Sequence, residues 1–279
     1  MAGTLYLVAT PIGNLGDMTL RAAETLREVD FIAAEDTRVT VKLLNHLDIK
    51  KPMISYHRHN ADTRGEELVS RLLGGESCAL VTDAGTPAIS DPGEELVALC
   101  AARDIPVVPI PGACAFVNAL AVSGLPTTRF TFEGFLPMNK KNRRTHLESL
   151  QKEERTMVFH EAPHKLLPTL TDFRDAFGPD RRISLCRELT KLHEEVLRTT
   201  LSGAIEHYSQ TPPKGEFVLV IEGAPPAEKE AYTLEDGLEL AVRLQEEGAS
   251  TRDAVKQAAS AYKLSKKALY DLVIARKED

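Results

Sequence analysis

The chain has 279 residues, 43% hydrophobic and 27% charged, a balance that suits a globular protein with ample core and excludes a disordered one. Its net charge of -7 argues against gripping nucleic acid through the whole surface, so such a contact would need a local basic patch. No basic region precedes the first apolar run, unlike a secretory signal, and the uncharged stretch from Ile105 to Pro126 holds too many prolines to be one membrane-crossing helix.

Strand and helix patterns alternate from the start. Thr4–Ala9 reads as a strand, Leu20–Glu28 as a helix, Phe31–Ala34 as a strand, Thr40–Leu47 as a helix and Met53–Tyr56 as a strand. Glu66–Leu73 follows as a helix, Ser77–Thr82 as a strand, Glu94–Arg103 as a helix, Pro106–Ile110 as a strand and Ala113–Val122 as a small-residue helix. This rhythm predicts a mostly parallel sheet covered by helices, an α/β domain over residues 1–123. A second α/β block over 124–226 carries strands at Phe130–Phe132, Thr156–Phe159, Ile183–Arg187 and Phe217–Glu222. Its helices are Arg144–Gln151, Lys165–Phe173 and Ser202–Tyr208, and Pro225-Pro226 ends it. Residues 230–279 are purely helical. Thr233 with Asp236, and Ser250 with Asp253, have capping-box spacing, and Ser265 reads as a third cap, giving a small helix-turn-helix-like appendage.

Familiar ligand motifs are absent: no G-x-G-x-x-G follows a strand, and there is no P-loop lysine and no nucleophile elbow. His160-Glu-Ala-Pro-His164 spells H-E-x-x-H, but strand-like residues precede it and Pro163 disfavours the helix that zinc binding needs. Cys78, Cys100, Cys114 and Cys186 are scattered through apolar sequence, which reads as free thiols in a reducing cytoplasm, with no metal expected.

The informative segments are four loops at strand tips. They are Ala9–Gly16, Ala34–Arg38, Ser55–Asn60 and, longest, Thr82–Gly93. In a parallel sheet all of them fall on one edge and together make a ligand site. Glu35, Asp36, His57 and His59 are the candidate general bases there, with Glu133, Glu161, Arg187 and Glu188 able to approach from the second domain. Arg38, Arg58 and Arg187 suit phosphate contact. Lys140, Lys141, Arg143 and Arg144 form one basic patch, and Lys266 and Lys267 lie in another. Tyr56 and Phe135 are candidates for stacking on a base.

The run of motifs ATPIGNLGD, AEDTR, SYHRHN, VTDAGTPAISDPG, PIPGACAFVNALAVSGLP, FEGFLP, HEAPHKL and RELTKLHEE resembles the tetrapyrrole methylase superfamily, in order and over essentially the whole chain. The resemblance is to the branch that acts on ribosomal RNA. It implies two α/β domains around a cleft, S-adenosylmethionine as methyl donor, a cytidine 2′-hydroxyl of 16S rRNA in the decoding region of the 30S subunit as acceptor, and a cytoplasmic homodimer. By that resemblance Pro11 and Gly13 lie near the donor, Asp83, Ala84, Gly85 and Ile89 form its main loop, and Ala113, Cys114 and Ala115 the next. Phe159, Leu185-Cys186 and Phe217-Val218 would close over it. The alternatives are a methyltransferase acting on a tetrapyrrole and a non-enzymatic nucleic-acid regulator using the terminal helices. The basic segments speak for RNA over a porphyrinoid.

Overall fold

The structure is a computed structural model that describes residues 2–225 and 232–278. The chain divides into two compact units, one reaching to Ala224 and one starting at Pro225. Of the expected break at Pro225-Pro226, Pro226 lies outside the described residues, as does the boundary set at residue 230.

The first unit opens with strands β1 (Leu5–Val8), β2 (Phe31–Ala34), β3 (Met53–Ser55), β4 (Cys78–Val81) and β5 (Val107–Ile110). They form one sheet in the order β3-β2-β4-β1-β5, and every pairing is parallel. Parallel strands need crossovers, supplied by α1 (Leu20–Glu28), α2 (Thr37–His46), α3 (Ala61–Leu73) and α4 (Glu94–Ala101). Leu26 and Leu44 of α1 and α2 pack on one face with Ile32, Val8 and Val81. Leu68, Leu72 and Leu96 of α3 and α4 cover the other with Leu5, Phe31 and Leu80. Both faces are therefore dry, and β2 and β4 are wholly buried apolar runs rather than alternating ones.

α5 (Ala115–Val122) leaves this sheet and lies on the next one, where Ala119 and Leu120 pack against Val158, Cys186, Val218 and Val220. That second sheet contains β6 (Phe130–Phe135), β7 (Thr156–Glu161), β8 (Arg182–Arg187), β9 (Glu195–Thr200) and β10 (Phe217–Ile221), in the order β6-β7-β10-β8-β9. Only β6 and β7 run parallel; the other pairs are antiparallel. Its outer face is covered by α6 (Lys140–Leu150), α7 (Leu166–Phe177) and α8 (Leu201–Gln210), around Phe159, Phe173, Leu185, Phe217 and Leu219. Sequence reading omitted β9, and it began α6 at Arg144, whereas Asn139 caps the helix through hydrogen bonds from the amides of Lys141 and Asn142. The basic run thus opens a helix.

The second unit is three helices, α9 (Leu234–Glu246), α10 (Thr251–Tyr262) and α11 (Lys266–Glu278). Thr233 and Asp236 make a complete capping box, and Ser250 caps α10. Lys263 ends α10 in the left-handed conformation at φ 54°, which turns the chain into α11. Small residues, Ala241, Ala254, Ala258 and Ala259, let the helices close around Val255, Leu269 and Val273. No described helix is long and apolar enough to cross a membrane.

α4 begins at Gly93, whose φ of +140° an L side chain rarely adopts; a Cβ there would stand 2.7 Å from Leu80 Cδ2 and 3.2 Å from Ala88 Cβ. Gly93→Ala is expected to cost more than about 1 kcal/mol, through backbone strain and collision. A urea denaturation midpoint equal to the wild type's would contradict this reading of the turn.

Candidate functional site

All parallel strands of the first sheet end on one edge, and the loops beyond them are stitched together there. Thr10 and Gly85 exchange two backbone hydrogen bonds, of 2.8 and 3.0 Å. The Thr10 hydroxyl donates to the Thr82 carbonyl at 3.0 Å, and the Thr86 hydroxyl to the Ala113 carbonyl at 3.1 Å. The loops after β1, β4 and β5 thus form one rim. The loop after β4 holds two non-glycine residues in the left-handed region, Ala88 at φ 67° and Ser90 at φ 63°, a strain that persists where surrounding structure imposes it.

This rim and the inner face of the second sheet enclose a cavity of about 510 Å³. Its first wall is Ile12, Asp83, Ala84, Gly85, Ile89, Cys114 and Ala115, and the facing wall includes His160, Cys186, Glu188, Lys191 and Val218. The walls meet where the stem of Lys191 packs against Gly13, leaving no room for a Cβ there. The Lys191 ammonium donates to Glu188 Oε1 and Glu216 Oε2, each at 2.9 Å, and its pKa is raised: those bonds outweigh the larger single effect of burial, which acts to lower it.

Carboxylates dominate the first wall. Thr82 Oγ1 donates to Glu35 Oε2 at 2.6 Å, and the Asp36 amide donates to Asp83 Oδ1 at 3.2 Å. Asp83 is pushed above the usual carboxylate range by burial and by Glu35. Asp91 is pushed up to about 6, by burial first and then by the Glu35 charge, with Asp83 adding and Thr82 and Arg58 opposing. Glu161 sits deeper, buried at the end of β7. It accepts from the Ala162 amide and from the Thr169 hydroxyl, and that hydroxyl accepts from Arg143 Nη2 at 2.8 Å. An acidic, partly apolar cavity without a phosphate cradle fits a ligand that carries positive charge and an apolar ring. S-adenosylmethionine has both.

Several expected site residues stand in or beside this cavity. Glu35, Asp83, Ala84, Gly85, Ile89, Cys114, Ala115, Cys186 and Val218 line it. Gly13 abuts Lys191, and Ala113 accepts the Thr86 bond. Pro11 lies between Thr10 and Ile12 on the same loop. Others are elsewhere. Phe159 packs into the outer core against Phe173, with centroids 4.8 Å apart, because neighbours along β7 alternate faces. Leu185 belongs to that core, and the Phe217 ring meets Tyr208 there although the residue touches the cavity wall.

Asp36 caps α2 and chelates Arg38, which holds its carboxyl down at about 2, the Arg38 side-chain bonds contributing most. It is an N-cap in an ion pair and does not line the cavity. His57 and His59 lie on a turn rather than an extended segment, with rings 6.0 Å apart, and neither lines the cavity. Tyr56 is wholly buried in the first core and offers no stacking face. Arg187 pairs with Glu195, Arg143 with Asp172 and Arg144 with Glu148, whereas Lys140, Lys141, Lys266 and Lys267 are exposed. Glu133 pairs with His146. Among the described residues no group of three or more His, Cys, Asp or Glu side chains could hold a metal ion. His160 stands on a strand and His164 in a single turn, not on one helix face.

The sequence reading placed Thr82 and Asp91 in the site only as members of the Thr82–Gly93 loop, and gave no site role to His160 or Lys191. Asp91 was in plain view in the Ser90-Asp-Pro-Gly93 turn, but a turn-forming Asp is ordinary there. His160 could have been found by counting two residues from Val158 along β7.

Asp91 makes stability depend on pH with a definite sign. An unfolded Asp titrates near 3.9, so between about pH 4 and the folded value of about 6 the folded state keeps a proton that the unfolded chain has lost. This contribution is complete at low pH and vanishes as pH rises through that window. Asp91→Asn is expected to flatten that part of the stability profile and to raise the melting temperature at neutral pH; an unchanged profile would contradict the placement of this carboxyl.

The family model described as Tetrapyrrole (Corrin/Porphyrin) Methylases matches residues 4–205. A Synechocystis protein named Ribosomal RNA small subunit methyltransferase I is 51% identical over 99% of both chains. One of the same name from Halalkalibacterium halodurans is 55% identical over 79% of this chain and 76% of its own. Among solved structures, uroporphyrin-III C-methyl transferase from Thermus thermophilus, complexed with S-adenyl homocysteine, superposes with a TM-score of 0.55. It is 17% identical, over 79% of this chain and 97% of that one, so it speaks for the fold alone. A family model spanning most of the first unit, and a relative sharing half its residues from end to end, agree with the two-sheet fold: the chain belongs to the tetrapyrrole methylase family.

Proposed function

We propose that the protein transfers a methyl group from S-adenosylmethionine to the 2′-oxygen of a cytidine ribose in the decoding region of 16S rRNA, acting in the cytoplasm as a homodimer on the 30S subunit. The observation that carries this reading is the acidic cavity at the carboxyl edge of the parallel sheet, roofed by the second sheet. The names of the relatives supply the RNA, and the S-adenyl homocysteine of the Thermus structure supplies the donor class. Exposed Lys140 and Lys141 at the start of α6, and Lys266 and Lys267 at the start of α11, favour a polyanionic partner. Cations at helix N-termini oppose the helix dipole, and a phosphate relieves that conflict.

Asp83, Ala84, Gly85 and Ile89, with Cys114 and Ala115, would hold the donor, with Pro11, Gly13 and Ala113 behind them. S-adenosylmethionine supplies a methyl group on a positively charged sulfur, open to in-line displacement. The chain's own contribution is position and a proton acceptor. A ribose hydroxyl is a weak nucleophile at neutral pH and must lose its proton as it attacks. Glu35 and Asp91 both face the cavity and share Thr82 as a neighbour. Asp91 is the better acceptor, because burial raises its pKa to about 6, near the working pH. Glu35 then keeps Thr82 in place and sustains the field that raises Asp91.

The test is labelled methyl transfer from S-adenosylmethionine to 30S subunits that lack the modification. Label is expected in a nucleotide linkage resistant to alkali, as a 2′-O-methyl group requires, with binding that weakens steeply as salt rises. Label in uroporphyrinogen and none in rRNA would overturn the reading. Asp91→Asn is expected to lower kcat by about 10²–10⁴ with KM retained. In the wild type kcat should fall as pH drops through about 6. A flat pH profile, or an Asp91→Asn enzyme with normal kcat, removes Asp91 from the base's role.

A further inference from the structure

β6 does not pair evenly. Phe132 stands opposite Val158 on β7, but Gly134 stands opposite Phe159, so one residue, Glu133, is extra. A bulge of this kind bends the strand and re-aims the side chains beyond it, often beside a functional site. Gly134 takes φ +63°, and a Cβ there would stand 3.4 Å from Ser90 Oγ, so the bend lies against the loop after β4. The side chain it re-aims is Phe135.

Phe135 is 58% exposed, yet it lines the cavity. Its ring stacks on His160, with centroids 5.4 Å apart and planes at 29°. His160 meets Phe132 edge-on, also at 5.4 Å, and Phe132 stacks on Phe116 at 4.3 Å. Four rings therefore run from the interior to the mouth. Burial lowers the pKa of His160, against a weaker opposing pull from Glu216, so a neutral ring underlies Phe135. From the other sheet comes Arg58, an exposed side chain whose guanidinium donates to the Ser90 carbonyl. The Gly134 bend that carries Phe135 and the Arg58 guanidinium thus meet at Ser90, one from each sheet. A nucleotide offers the complement: a flat base to stack and a phosphate to pair.

We propose that this mouth seats the acceptor nucleotide, with its base on Phe135 and a phosphate on Arg58. The proposal rests on the RNA reading above and adds the residues that hold the RNA over the cavity. Every base has a π face, so Phe135 sets the position of the nucleotide rather than its identity.

The chain has no tryptophan, so Phe135→Trp places at the site a single indole whose emission can be excited apart from the tyrosines. Its emission should be quenched by a cytidine-containing oligoribonucleotide and unaffected by S-adenosylmethionine alone. Phe135→Ala is expected to raise KM for 30S subunits by about tenfold, the loss of one base–aromatic stack, while calorimetry gives an unchanged Kd for S-adenosylmethionine. Arg58→Ala should weaken 30S binding and lower its salt slope by about one. The proposal is overturned if Phe135→Ala weakens donor binding and leaves KM for 30S unchanged, which would place the ring in the donor's wall. It is equally overturned if the Phe135→Trp emission is indifferent to an oligoribonucleotide that filter binding shows to be bound. If instead the wild type transfers no methyl to 30S subunits, the functional reading itself fails, and the quenching experiment still decides whether a base stacks on Phe135.

Discussion

Because every strand of the first sheet runs the same way, every loop that leaves a carboxyl end emerges on one edge. The rest of the site follows from that constraint. Residues as distant in sequence as Thr10, Glu35, Thr82 and Ala113 become neighbours, and short hydrogen bonds lock them together. Both faces of the sheet are sealed by helices, so the edge is the place left for a ligand. The left-handed residues Ala88 and Ser90 show how far the longest loop is bent to complete that edge.

The second sheet obeys a different rule. It is mostly antiparallel, and its strands serve two masters by alternation. Met157 and Phe159 face the helices, whereas Val158 faces α5 and His160 faces the cavity. α5 belongs by chain order to the first block but buries Ala119 and Leu120 against the second sheet. It joins the two layers into one unit, and the cavity lies at the junction.

Much of this was legible in the sequence. The alternation of apolar runs and amphipathic stretches located nine of the strands, and glycine- and proline-rich tips marked the edge that carries the site. The failures have local causes. Glu195–Thr200 is a half-exposed edge strand with charged residues, so it lacks the apolar signal of its neighbours. Phe159 was a hydrophobic residue near the right place on the wrong face, an error of one residue that a period of two turns into opposite sides of a sheet. Asp36 and Arg38 suggested chemistry, yet the Asp stands just before a helix and caps it. His57 and His59 depended on an extended backbone that turns instead. Asp91 and Lys191 acquire their character only from burial and from partners brought by the fold, which no spacing along the chain displays.

The chain of bonds from Arg143 through Thr169 to Glu161 links two places that differ in everything else. Arg143 lies in the first turn of the basic helix, and Glu161 borders the cavity. The Thr169 hydroxyl has one proton, and it points to Glu161 because its oxygen is already accepting from the guanidinium. Arg143 therefore cannot swing outward to meet an anion without giving up its bonds to Thr169 and Asp172. The outer surface of α6 and a carboxylate bordering the cavity are thereby joined through a single hydroxyl, in two hydrogen bonds.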